Sequence, residues 1–179
     1  MLKRIFDFLF SLTALLLLFP VLLILIFVIY FYDFGDVFYK APRVGKNGKL
    51  FKMYKFRTMV VDADKIGPSS TTKSDSRITP VGKFLRKTKL DEIPQFINVF
   101  IGQMSVVGPR PDVKYFTDLF TDEEKIILSV KPGITDYASV WNSDEAKLLE
   151  GSDDPDKTYM EVIWPEKKRL QMKYVKEHS

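Results

Sequence analysis

Asp91 and Glu92 stand side by side in the stretch RKTKLDEIPQFINVF, residues 86–100, behind Arg86, Lys87 and Lys89 and two residues ahead of Pro94. An adjacent acidic pair can begin a solvated helix, hold a metal ion or act as a catalytic dyad. Composition narrows the choice. The chain has no cysteine, which removes disulfides, thiolate nucleophiles and thiolate metal ligands, and its one histidine, His178, is penultimate, where chain ends fray. A covalent catalyst here would be a carboxylate, hydroxyl or amine. A metal would be held by oxygen ligands, which points to magnesium and away from zinc. The formal net charge of +4 suits an anionic partner such as phosphate, nucleotide, lipid headgroup or nucleic acid, without choosing among them.

The elements that position this pair can be read from local signals. Strands on either side of Lys46-Asn47-Gly48-Lys49 form a hairpin, and the two-residue period puts Lys55 and Arg57 on one face of its second strand. Such a comb is either a solvated strand face or a phosphate contact. Residues 67–76 read as a surface loop. Thr79-Pro80 caps a basic amphipathic helix with Val81, Phe84, Leu85 and Thr88 on one side, a helix suited either to the membrane interface or to packing on a core. Thr88 then reads as the N-cap, and Gly102 as the stop, of a helix of about 13 residues with Leu90, Ile93, Ile97 and Phe100 as its buried stripe. Asp91, Glu92 and Gln95 share its other side. A short strand leads into Gly108-Pro109-Arg110-Pro111, where two prolines present Arg110 from a rigid loop suited to phosphate or carboxylate recognition. Thr121 to Glu124 is a capping box, KPGITDYASVW reads as turn plus strand, and Asp154-Pro155 opens a helix that Trp164-Pro165 breaks or bends. The closing segment is basic and amphipathic, with Leu170, Met172, Tyr174 and Val175 apolar.

At the N-terminus no charged side chain occurs from Phe8 to Tyr32. As one straight helix this run of roughly 25 residues would reach about 37 Å, enough to span a hydrocarbon core of about 30 Å. Pro20 near its midpoint predicts a bend or break. Lys3 and Arg4 before the run, and Lys40, Arg43, Lys46 and Lys49 after it, favour keeping both ends on the cytoplasmic side. Residues alone therefore leave a simple span and a re-entrant hairpin both open. They also leave three functional classes: a membrane enzyme acting on a phosphorylated substrate, a membrane-anchored interaction module, and a nucleic-acid binder, the last weakened by the anchor and by the lack of a clustered basic stripe.

Taken together, KRIFDFLFSLTALLLLFP, KFRTM (55–59), DSRITPVGKFLRKTKLDEIPQFINVFIGQMSVVGPRP (75–111) and VKPGITDYASV (130–140) resemble the monotopic phosphoglycosyl transferases, the bacterial sugar transferase family. The resemblance implies a helix-rich α+β fold with short strands, interfacial amphipathic helices, a re-entrant membrane helix-break-helix over 1–33 with its break at Pro20, and a catalytic domain over 34–179. It implies transfer of a phosphosugar from a UDP-sugar, of the N-acetylated hexosamine type, to polyprenol (undecaprenyl) phosphate at the cytoplasmic face of the bacterial inner membrane, with release of UMP and no nucleic-acid partner. Asp91 would be the nucleophile that carries a covalent phosphosugar, and Glu92 with Asp91 would hold Mg²⁺. Arg110, and with it Lys55 and Arg57, would contact nucleotide or phosphate, Arg86 a phospholipid headgroup, and the protein would be a homodimer. Transfer in a ternary complex without a covalent intermediate, or a non-catalytic module, are the alternatives. Three departures stand out. Phe19 precedes Pro20 where relatives commonly have serine, WNSDEAKLL follows Val140 where many have an Asn-Gly-Arg-type loop, and the resemblance implies a natural chain that continues beyond Ser179.

Overall fold

The computed structural model describes residues 1–66, 75–142 and 154–178. The loop expected over 67–76 therefore lies outside the described residues apart from Asp75 and Ser76, and the departure after Val140 apart from Trp141 and Asn142. The fold is a helix-rich α+β arrangement with short strands, as the resemblance implied. It divides into two units. The first is built from Met1–Ala41 and the described parts of Lys52–Gly67 and Ser76–Gly102, the second from Pro42–Phe51, Asp75 and the chain from Gln103 onward.

In the first unit α1 (Leu2–Asp33) carries Pro20 within one helix and not between two. Proline removes a single backbone donor, and the apolar turns on either side keep theirs. The helix is long and apolar enough to cross a membrane. Both of its halves rest on the same unit. Near its start the Arg4 guanidinium donates to the carbonyls of Val99 and Phe100, each at 2.7 Å, and Phe8 stacks on Phe100 with ring centres 5.0 Å apart. Towards its end Leu25 and Ile29 join Phe56 and Leu85 in a buried cluster. Phe34 closes it in the left-handed conformation at φ 54°.

β1 (Phe38–Val44) and β2 (Leu50–Phe56) form the expected hairpin about Lys46–Gly48, where Asn47 and Gly48 both take positive φ, 57° and 76°. After the single turn α2 (Ala63–Ile66), Thr79 caps α3 (Pro80–Thr88) as expected, its hydroxyl accepting from the Gly82 N–H at 2.9 Å. A Cβ on Gly82 would lie 1.9 Å from the Thr58 carbonyl oxygen, so only glycine lets α3 pass this close to the segment that follows β2. The expected apolar side of α3 is corrected: Leu85 is buried, but Phe84 and Thr88 are exposed.

The helix expected to run on from Thr88 is also corrected. The Thr88 hydroxyl donates back to the Phe84 carbonyl at 2.8 Å, so it caps nothing, and Lys89 turns the chain at φ 58°. One 3₁₀ turn, Leu90–Glu92, follows, then Ile93 and Pro94, then α4 (Gln95–Phe100), which Gly102 ends at φ 86°. Pro94 cannot donate to an ongoing ladder, which suits it to the head of a new helix. The resulting rotation buries Ile93, Gln95, Asn98 and Val99 and leaves Leu90, Ile97 and Phe100 half-buried.

In the second unit β3 (Ser105–Val107) pairs in parallel with β4 (Gly133–Thr135), Ser105 opposite Gly133 and Val107 opposite Thr135. A Cβ on Gly133 would fall 2.1 Å from the Gly108 nitrogen. Between the strands lie α5 (Lys114–Asp118) and a 3₁₀ helix, Glu124–Ser129. The expected capping box is present: the Thr121 N–H donates to Glu124 at 2.9 Å and the Glu124 N–H to Thr121 at 3.3 Å. After β4 the chain does not continue as a strand. Asp136 caps α6 (Tyr137–Trp141) by accepting from the Ser139 N–H at 2.7 Å. Asp154 caps α7 (Pro155–Thr158), which passes through a π turn, Tyr159–Ile163, into α8 (Trp164–His178). Pro165 does not break the helix, because the i→i+5 pairing of the preceding turn takes up its missing donor. Phe120, Ile127 and Trp164 form the core, with Phe116, Leu128 and Tyr159 packed on it.

Candidate active site

The 3₁₀ turn Leu90–Glu92 is short because Lys89 bounds it on one side and Pro94 on the other. Two neighbouring carboxylates consequently point different ways. Asp91 is only 7 % exposed, and its Oδ1 is buried with no hydrogen-bond partner. Glu92 is half-buried and accepts from the Lys55 ammonium of β2 at 2.9 Å. Burial pushes the Asp91 carboxyl above the usual aspartate range; Lys55 pulls it down, Glu92 pushes it up, and Arg86 and Lys89 pull it down. The turn thus holds a carboxylate with raised proton affinity beside a partner already neutralised by an ammonium.

Its frame is built from both sides. The Asn98 amide of α4 accepts from the Tyr54 N–H at 2.9 Å and donates to the Lys52 carbonyl at 2.8 Å, taking the place of a neighbouring strand along β2 and fixing the segment that carries Lys55. Arg86 donates to the Thr58 hydroxyl at 2.9 Å, and the Thr79 N–H donates to the Thr58 carbonyl at 3.0 Å, which secures α3 just ahead of the turn. Gln95, four residues after Asp91, is fully buried with neither amide atom hydrogen-bonded.

Lys55, Arg86, Asp91 and Glu92 therefore come together in the first unit. Arg57 lies just past the end of β2 and forks onto Asp33 at the end of α1, with a further bond to the Asp36 carbonyl, so Lys55 and Arg57 serve different partners. Arg110 belongs to the second unit. Its backbone N–H donates to Asp136 Oδ2 at 3.1 Å, its carbonyl accepts from Gln171 at 3.1 Å, and its guanidinium reaches the Ile134 carbonyl at 3.4 Å. Pro20 lies within α1.

Among the described residues no three His, Cys, Asp or Glu side chains gather as a metal cluster. The donor set at the turn is two carboxylates, one with an unclaimed buried oxygen. That fits Mg²⁺, which commonly takes one or two carboxylates and completes its octahedron with water and substrate phosphate.

Several contributors escape a reading of the sequence. Arg4, Asp7 and Ser11 form a polar stripe at spacings of three and four on an otherwise apolar helix, and the last two are buried. That spacing was a usable signal. Asn98 and Gln95 carried none, since both look like the polar face of an amphipathic helix.

The family model described as bacterial sugar transferase matches residues 1–179. The chain is 42 % identical over 121 residues, 68 % of each chain, to a Bacillus subtilis (strain 168) protein provisionally named undecaprenyl-phosphate N-acetylgalactosaminyl 1-phosphate transferase. It is 41 % identical over 150 residues to the exopolysaccharide production protein ExoY of Rhizobium meliloti (strain 1021), a match over 75 % of this chain and 66 % of that one. With the UDP-glucose:undecaprenyl-phosphate glucose-1-phosphate transferase of Escherichia coli (strain K12) it shares 42 % identity over 144 residues, 78 % of this chain but 31 % of that one. It thus spans about two-thirds of the first two relatives and under a third of the last. The match along its whole length and these identities carry one conclusion: the chain belongs to the bacterial sugar transferase family, a family of phosphoglycosyl transferases.

Proposed function

We propose that the protein moves a phosphosugar from a UDP-sugar to polyprenol (undecaprenyl) phosphate in two steps, with Asp91 as nucleophile. The observation that carries this reading is the buried Asp91 carboxyl with its unpartnered oxygen, raised proton affinity and ring of cations. In the first step an Asp91 oxygen attacks the sugar-bearing phosphorus, the bond from that phosphorus to the oxygen bridging it to the other phosphate breaks, and UMP leaves with the electron pair. In the second a phosphate oxygen of the polyprenol phosphate attacks the same phosphorus and releases the Asp91 carboxylate. Lys55 and Lys89 supply positive charge where the phosphoryl oxygens gather negative charge, and Arg110 receives the nucleotide phosphates. Mg²⁺ held by Glu92 and Asp91 would add charge neutralisation on those oxygens. The names of the relatives include N-acetylgalactosamine and glucose, so the donor is an N-acetylated hexosamine or its neutral hexose counterpart.

Intact-mass measurement with UDP-sugar and no acceptor tests the mechanism. A phosphosugar increment that disappears in Asp91→Asn supports two steps. Transfer without any increment supports a ternary complex in which Asp91 is a base, and no UMP from any donor would leave an interaction module.

We further read α1 as embedded in the cytoplasmic leaflet of the bacterial inner membrane, with both ends on the cytoplasmic side and Pro20 as its point of bending. Support comes from Arg4 and from Leu25 and Ile29, which tie opposite halves of the helix to one unit, while most of its other large side chains, among them Leu16, Leu17, Phe19, Ile24 and Phe27, are exposed. Phe84, Lys83 and Lys87 on the open face of α3 suit the interface, with Arg86 at a phospholipid headgroup. A cysteine placed before Met1 should be labelled only after the membrane is permeabilised; labelling in intact spheroplasts would overturn this placement.

A further inference from the structure

Three buried polar side chains on one face of α8 grip three successive parts of the Pro-Arg-Pro loop. Lys167 donates to Asp112, Gln171 donates to the Arg110 carbonyl at 3.1 Å, and the Tyr174 hydroxyl donates to the Val107 carbonyl at 3.0 Å. Their spacing of four and three places them along one helical stripe, and their partners run in the opposite order along the loop. All three are buried, the Gln171 Oε1 without a hydrogen-bond partner, and since such burial costs free energy an apolar stripe would have packed more cheaply.

The loop needs this grip. Pro109 and Pro111 fix φ at their own positions but leave the intervening peptide planes free to rotate. Asp136 takes the Arg110 N–H and Gln171 its carbonyl, so both peptide groups flanking the Arg110 Cα are held. The direction in which the Arg110 side chain leaves the loop is thereby set by these two bonds.

We propose that Lys167, Gln171 and Tyr174 are positioning residues that set the direction in which Arg110 is presented to the diphosphate of the donor. This rests on the reading of Arg110 as a phosphate contact. Its signature is coupling: loosening the grip should weaken diphosphate binding only while Arg110 is present.

The test uses the full chain in detergent with Mg²⁺ and UDP as probe, and measures Kd by titration. Arg110→Ala should weaken UDP about tenfold, the scale of a lost charge-assisted contact. Gln171→Met and Tyr174→Phe, which keep shape, should each weaken it about three- to fivefold, and neither should weaken it further in the Arg110→Ala background. Thermal melts confirm that the variants remain folded. If Arg110→Ala leaves UDP binding unchanged, the reading of Arg110 fails and takes this inference with it. If Arg110→Ala weakens binding while the α8 variants do nothing, or act equally with and without Arg110, the positioning role alone is overturned.

Discussion

The acidic turn and the Pro-Arg-Pro loop solve opposite problems. The turn is bounded by backbone geometry close by, Lys89 at positive φ and Pro94, and it keeps buried polar atoms without partners at Asp91 and Gln95. The loop is held by side chains that arrive from 26 and 61 residues away along the chain, Asp136 and Gln171, and both backbone groups of Arg110 are satisfied. A group that must change its bonding during a reaction is stored unsatisfied, at a cost in stability. A group that only receives charge is braced.

The largest effect that would break this contrast is at Asp91. Asp91→Asn should reduce phosphosugar transfer by at least about a thousandfold, as loss of a nucleophile does. The same change should raise Tm by a few degrees. The sign follows from the raised pKa: the folded state holds the proton more tightly than the unfolded chain, so ionised Asp91 costs stability above its folded pKa, and the cost is gone below the unfolded pKa. Activity of the unaltered enzyme should accordingly fall, as pH drops, at a higher pH than an ordinary aspartate near 3.9 would give. A lower Tm in Asp91→Asn would mean that the turn is not strained by its acid.

Next in size are the two crossing glycines. Gly82→Ala and Gly133→Ala each put a methyl into backbone atoms and should cost about 3 kcal/mol by denaturant titration. If the contrast holds, Gly82→Ala slows transfer through the turn, whereas Gly133→Ala weakens UDP through the loop. Smaller again is Asn98→Ala, which strands the Tyr54 N–H and the Lys52 carbonyl and should cost about 2 kcal/mol. Equal effects of both glycines on both readouts would erase the distinction.

What was legible in the sequence was what neighbours decide. The hairpin at Asn47-Gly48, the Thr79 and Asp154 caps and the Thr121–Glu124 box all depend on residues within a few positions of one another, and all are present. The misplaced elements were decided from afar. Thr88 had every mark of an N-cap, but Lys89 adopts the left-handed conformation and leaves the hydroxyl to bond backward. Gln95 and Asn98 looked like a solvated face because the strand that Asn98 bonds lies more than 40 residues earlier. At α8 the apolar letters drew attention to Tyr174 and Val175, which are buried, and to Leu170 and Met172, which are only half-buried, whereas the buried residues also include Lys167 and Gln171, whose partners are in the loop. Asp91, Glu92, Lys55 and Arg86 were all named from the sequence and lie together, while their frame was invisible to it.

The tie between Arg4 and the carbonyls of Val99 and Phe100 also sets an order of events during synthesis. Arg4 is made before the carbonyls it binds, which follow some 95 residues later. At about 5–20 residues per second this is a wait of roughly 5–20 s before Arg4 can close this contact.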